Sequence, residues 1–231
     1  MTALQVTHRA IVNKTSVYQK NIFDLSKMKL GTPNAYPHRV LKSSKNEKLG
    51  PRVTKGKLSG LPIKTLTLVE RESCTTDCEH YLDCYGNSMP FAHRFVANLG
   101  LLPYLSRDLD YYNLKHKNGF LVRLHVLGDF FSPDYMFAWI NMAMMHQDRL
   151  FYAYTKSLSY WLRFREYTEQ LDNFVLTASY GGRNDNMIAE HNLRSAKVVF
   201  SEAEAEELGL DIDHDDSHAA RPSLKDQDFA L

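Results

Sequence analysis

The chain reads as an α/β protein built from parallel βαβ units, and three observations predict this. Apolar runs of strand length alternate with helix-like stretches at intervals of about 25–30 residues, the spacing that a crossover connection requires. The runs are apolar at nearly every position, as expected for strands covered on both faces. Each run then stops at a small or polar residue: Gly128-Asp129, Lys156, or Tyr180-Gly181-Gly182.

Taken in order, Ile63–Glu70 is rich in β-branched and apolar residues and predicts a first strand running straight into Cys74. Residues 87–106, with Phe91, Phe95, Leu99 and Leu102, predict a helix interrupted at Gly100. Phe120–Leu127 predicts the second strand. Ser132-Pro133-Asp134 is a helix start, with Ser132 as N-cap and Pro133 at the first helical position, and the helix runs through Trp139, Ile140 and Met144. Leu150–Thr155 predicts a third strand, the stretch around Trp161–Leu171 a helix, and Phe174–Ser179 a fourth strand. A helix over 184–194 and a strand from Ala196 to Phe200 continue the alternation. Asp228–Leu231 reads as a last strand that stops short, so an incomplete final strand is expected.

With 231 residues, one domain of ordinary size plus an extension is expected. No apolar run is long enough to predict a membrane span, and the first residues lack the apolar region of a secretory signal, so the cytoplasm is the expected location. The net charge of +1 conceals an asymmetry. Residues 1–64 carry 13 Lys and Arg against Asp24 and Glu47, and residues 201–231 carry ten acids against Arg221 and Lys225. Three segments follow: a basic, irregular extension over 1–62, broken by turn residues; an α/β core over 63–205; and an acidic segment over 206–231. The basic head predicts a nucleic-acid contact, mutual neutralisation with the acidic end, or simply a solvated segment.

All three cysteines fall in Cys74-Thr-Thr-Asp-Cys78-Glu-His-Tyr-Leu-Asp-Cys84, a C-x3-C-x5-C loop. A disulfide would leave one thiol over, and crowded thiolates repel unless a cation neutralises them, so metal ligation is the economical reading. Two metals fit the residue types. A structural zinc needs four protein ligands, which His80 would complete. A 4Fe–4S cluster with three cysteines would keep one iron open to a substrate.

The three-cysteine loop after a first strand, closed by the aromatic Tyr85, resembles that of the radical S-adenosylmethionine enzymes. More closely, Cys74–Arg94, Leu124–Pro133 and Phe151–Lys156 resemble a bacteriophage family called gene product 88, over roughly residues 50–220. The first resemblance implies a partial (β/α) barrel. It implies that Cys74, Cys78 and Cys84 hold a 4Fe–4S cluster whose open iron takes the amino and carboxylate groups of S-adenosylmethionine, and that an electron donor is a partner. The second implies a phage-encoded protein working in the host cytoplasm. The usual radical-enzyme spacing is C-x3-C-x2-C, so this loop is three residues longer before its last cysteine. The Gly-Gly-Glu that usually receives the methionine amino group corresponds to Gly128-Asp129, one glycine short and with a shorter acid.

In a parallel α/β fold, functional groups collect where strands end. Gly128 and Asp129 are therefore candidates for an ammonium group, Lys156 for a carboxylate or phosphate, and Ser179 for a ribose or carboxylate. Each also has a plainer reading, as a helix-capping acid, a surface lysine or a loop serine. His214 and His218, four apart, would share a helix face and could hold a second metal, and His125 reads as core or barrel lining. No residue is assigned a catalytic role from sequence. The substrate expected from the basic head is a nucleic acid or nucleotide.

Overall fold

The computed structural model describes residues 39–45, 48–75, 77–82, 84–89, 91–224 and 227–231. Within them the chain builds a seven-stranded sheet: β1 (Lys42–Ser43), β2 (Ile63–Thr65), β3 (Leu121–Leu124), β4 (Leu150–Thr155), β5 (Phe174–Ser179), β6 (Ser195–Lys197) and β7 (Phe229–Ala230). Spatial order follows chain order. β1 runs antiparallel to β2, and every later neighbour is parallel. The helices are α1 (Glu70–Ser73), α2 (Leu102–Lys115), α3 (Pro133–Met145), α4 (Leu158–Arg163), α5 (Arg165–Glu169), α6 (Asn186–Glu190) and α7 (Glu202–Leu208). None of the described helices is long and apolar enough to cross a membrane.

Because every parallel step moves the same way across the sheet, right-handed crossovers put the intervening helices on one face. The larger core lies there: Leu124, Phe151, Ala153 and Leu176 of the strands meet Leu105 and Leu109 of α2, Trp139 and Ile140 of α3, and Trp161 of α4. The opposite face carries a smaller core. In it Leu121, Leu150, Tyr152, Val175 and Phe229 are covered by Val53, Leu58, Leu61, Ala219 and Ala220 rather than by helices.

Two-sided burial explains why β4 and β5 span the residues expected for them. The start of α3 also follows expectation: the Ser132 hydroxyl accepts from the Tyr135 amide at 3.2 Å, with Pro133 just inside. Four expectations are corrected. The first strand stops at Thr65, and α1 intervenes before Cys74. No helix spans 87–98: Phe95 runs beside Leu68, donating to the Thr67 carbonyl and accepting from the Val69 amide, both at 3.0 Å, and α2 begins only at Leu102. Residues 214–220 form turns, so His214 and His218 share no helical face. The basic segment, expected to be irregular, contributes the two-residue β1; residues 1–38 lie outside the described residues. The sheet thus draws one strand from the basic segment and one, β7, from the acidic one.

His125, just past β3, is a core residue in the left-handed conformation (φ 57°). Its ring meets Phe130 edge-on at 4.7 Å, and Nε2 lies 3.1 Å from the Tyr135 hydroxyl. Burial pushes its pKa down to about 3. The unfolded imidazole binds a proton near pH ~6.5 that the folded one refuses, so this residue withdraws stability as pH falls below that value. Urea midpoints between about pH 7 and pH 4 should fall less steeply in His125→Asn, which tolerates the same backbone. Equal slopes would contradict this account.

Candidate metal centre

The carboxyl ends of β2 to β5 form a rim, and hydrogen bonds run along it from strand to strand. Gly128 (φ 91°) lets the end of β3 approach the segment before the cysteines: a Cβ there would stand 2.4 Å from Ser73 Oγ and 2.7 Å from Leu68 Cβ. Asp129 follows, buried. Its Oδ1 accepts from the Phe130 amide at 2.7 Å and the Thr155 hydroxyl at 2.6 Å, and Oδ2 accepts from the Lys156 amide at 2.7 Å. A carboxylate offers about four acceptor positions, so Oδ2 retains room for one more donor. Burial raises the Asp129 pKa, opposed by these three bonds. Lys156 then reaches the end of β5, donating to Ser179 O at 3.0 Å, Ser179 Oγ at 2.9 Å and the Tyr180 carbonyl. The rim candidates Asp129, Lys156 and Ser179 are thus joined in one network, while Gly128 acts through the space it leaves.

The cysteine loop crosses this rim. It leaves α1 at Cys74 and touches down beyond the end of β5, three strands away, where the Glu79 amide donates to the Gly181 carbonyl at 2.8 Å and Asp77 meets Arg183 at 3.1 Å. Gly181 adopts a conformation that favours glycine (φ 95°), and Glu79 and His80 pack beside it, 3.7 Å from where a Cβ would stand. His80 therefore sits over the β5 end.

A buried ion pair holds the far side of the loop. Arg94, 1% exposed, donates Nε to Glu70 Oε2 at 2.8 Å and Nη2 to Glu70 Oε1 at 3.2 Å. Its remaining N–H groups reach the carbonyls of Gly86 (2.8 Å), Met89 (2.9 Å) and Ala92 (3.3 Å). Arg71 adds a bond to Asn87 Oδ1 at 2.5 Å, and Asn87 donates to the Leu82 carbonyl at 2.9 Å. The turn after Cys84 is thereby tied to α1, the helix before Cys74.

The thiols are partly buried, and their electrostatics bind them together. Burial, then the Asp129 carboxylate, then Cys84 and Cys78 push the Cys74 thiol up. Burial also raises Cys84, opposed by the Gly86 amide, which donates to its Sγ at 3.4 Å. The raised Cys74 and Cys84 thiols, each disfavoured in part by its neighbouring cysteines, are groups whose ionisation a bound cation would favour. Among the described residues, no three or more His, Cys, Asp or Glu side chains are gathered so as to hold one metal ion, with or without His80. A cubane cluster asks for something different, since each cysteine binds a separate iron. Three thiols on one loop, one of them accepting an amide N–H, would supply three of the four ligands that such a cluster takes.

A family model described as gene product 88 matches residues 103–230, more than half of the chain. The chain belongs to the gene product 88 family. In this gene product 88 protein the matched stretch runs from α2 to β7 and includes Gly128, Asp129, Lys156 and Ser179; the cysteine loop precedes it. No curated protein and no solved structure matches the chain.

Two features went unread in the sequence. The Glu70–Arg94 pair left no local signal, because its partners lie on either side of the cysteine loop. The second is an ion cluster on the face without helices, where Asp216 accepts from Tyr152 (3.4 Å) and Tyr154 (3.3 Å) and pairs with Arg123 (3.2 Å) and Lys48 (3.3 Å). A lone arginine within the apolar run Phe120–Leu127 was the available hint.

Replacing Arg94 by Ala leaves the buried Glu70 carboxylate with Arg71 as its one remaining charged partner among the described residues, at 3.3 Å, and should cost about 3 kcal/mol in denaturant unfolding. Glu70→Gln combined with Arg94→Met should recover much of that loss; a double variant as unstable as Arg94→Ala would show that the charge is not the cause. Gly128→Ala should cost about 1–3 kcal/mol from its backbone conformation alone, before any contact with Ser73, and an unchanged urea midpoint would refute the close packing.

Proposed function

We propose that this gene product 88 protein is an iron–sulfur protein of the radical S-adenosylmethionine type, acting on a nucleic-acid or nucleotide substrate and built on a partial (β/α) barrel. The observation that carries the reading is the company the three thiols keep. They belong to one loop lying across the carboxyl ends of a mostly parallel sheet, beside a carboxylate with one acceptor position to spare. Strand ends are where α/β folds collect their chemistry. The barrel reading draws on the sequential strand order and on helices packed against a single face.

In this proposal Cys74, Cys78 and Cys84 ligate the cluster. When bound, such a cluster supplies the one-electron reductive cleavage of S-adenosylmethionine and, through it, hydrogen abstraction from a substrate, with an external donor providing the electron. Asp129 Oδ2 offers its remaining acceptor position to the methionine ammonium. Lys156, its three N–H groups spent on Ser179 and Tyr180, holds the neighbouring strand ends at fixed spacing and adds positive charge beside the cofactor carboxylate, and the Ser179 hydroxyl keeps its own O–H for that carboxylate or the ribose. The Gly86 amide stabilises negative charge on Cys84 Sγ.

Metal and sulfide analysis with an optical spectrum, on protein purified without oxygen, tests this first. The expected result is about four iron and four sulfide per chain, with a brown absorbance lost in Cys74→Ala, followed by cleavage of S-adenosylmethionine on reduction. A single zinc without colour, released by His80→Ala, would overturn the proposal in favour of a zinc-stabilised protein. A cluster that never cleaves S-adenosylmethionine would overturn its radical half.

A further inference from the structure

At the other end of the sheet, where β2 and β3 begin, the fold gathers positive charge from segments far apart in sequence. Arg52 bridges to Pro62 just before β2 and donates to the Gly60 carbonyl at 2.6 Å. Lys115 and Lys117 flank His116 in the turn from α2 into β3. Arg39, ahead of β1, stacks its guanidinium 3.4 Å from the centre of the Tyr111 ring, which Lys115 also approaches at 5.7 Å. These four cations are exposed. Behind them lie two buried ones: Lys64, 4.3 Å over the Tyr112 ring, and Arg149, 5.3 Å over Phe120.

Three carboxylates among the described residues lie nearby. Asp108 serves Arg107 and the amides of Val40 and Leu41, Asp148 pairs with the buried Arg149, and the exposed Asp110 acts on His146, which leaves the exposed cations in excess. The potential left over is visible on His116, whose pKa is lowered by burial and then by Lys64, Lys115, Arg52 and Arg149, all cations.

We propose that this face, formed by Arg39, Arg52, Lys115 and Lys117 around His116, binds the phosphate backbone of a nucleic acid. The cations come from three separate segments and form a surface rather than a pocket, which suits a repeating polyanion better than a single small anion. The half-exposed Tyr111 beside Arg39 adds a ring on which a base can stack. Arg52, Lys115 and Lys117 lie at the opposite strand ends from the cysteine loop, so the face anchors nucleic acid without the metal centre and stands independently of the cluster proposal.

Fluorescence anisotropy of labelled single- and double-stranded oligonucleotides of arbitrary sequence, titrated over a range of salt, tests it with the full chain. Binding should weaken steeply with salt. Lys115→Glu with Lys117→Glu should lower affinity about tenfold or more at low salt and reduce the log–log salt slope by about 2, for two lost phosphate contacts. Arg163→Glu, an exposed reversal on α4, should leave both nearly unchanged, and Cys74→Ser should bind as the unaltered chain does. Circular dichroism and melting would confirm that each variant folds. Oligonucleotide binding that survives the double reversal, an equal loss in Arg163→Glu, or binding to phosphatidylserine vesicles but to neither oligonucleotide would overturn the assignment.

Discussion

The rim of this protein depends on one buried carboxylate. Asp129 gathers an amide from its own strand end, a hydroxyl from the last residue of β4 and the amide that follows it, and so fixes where two strands stop relative to each other. From that point Lys156 carries the connection to the end of β5. Without a buried acceptor at 129, the Thr155 hydroxyl and the Lys156 amide would lose a partner together, in surroundings where an unmet donor costs about 1–3 kcal/mol. The cysteine loop lies across a rim that these bonds have already made rigid.

The loop itself is held from both ends by different means. Glu70 and Arg94 close it on one side with a pair of charges taken almost wholly out of water, tolerable because the guanidinium also meets three carbonyls. On the other side it rests on the Glu79–Gly181 backbone bond and on the ion pair of Asp77 with Arg183. The three thiols are thus carried by a loop anchored on both sides.

What the sequence disclosed follows from where the physics is local. β4 and β5 were legible to the residue because both faces of these strands are buried and the whole run is apolar. The start of α3 was legible because Ser132 and Pro133 act within one turn. The helix expected over 87–106 shows the opposite case: the apolar spacing was real, but Phe95 spends its backbone bonds on Thr67 and Val69, and Arg94 is drawn to Glu70. β1, two residues long, is too short to carry a period; β6 and β7 were legible as strands from Ala196 and Asp228, though not in their ends. At the site, the cysteines and strand-end residues could be named from spacing. Their mutual bonds could not, because each joins residues some 23 to 27 positions apart.

The order of the strands bears on how such a chain comes together during synthesis. Each parallel strand is laid beside the one made just before it, so the sheet can lengthen as the chain emerges, without waiting for a distant partner. The exception comes near the end. Asp216 reaches back to Arg123, Tyr152, Tyr154 and Lys48, drawing the C-terminal segment over the face that has no helices. Val53, Leu58 and Leu61 are made early enough to cover part of that face, while Tyr152 and Tyr154 wait for the segment around Asp216 to be made.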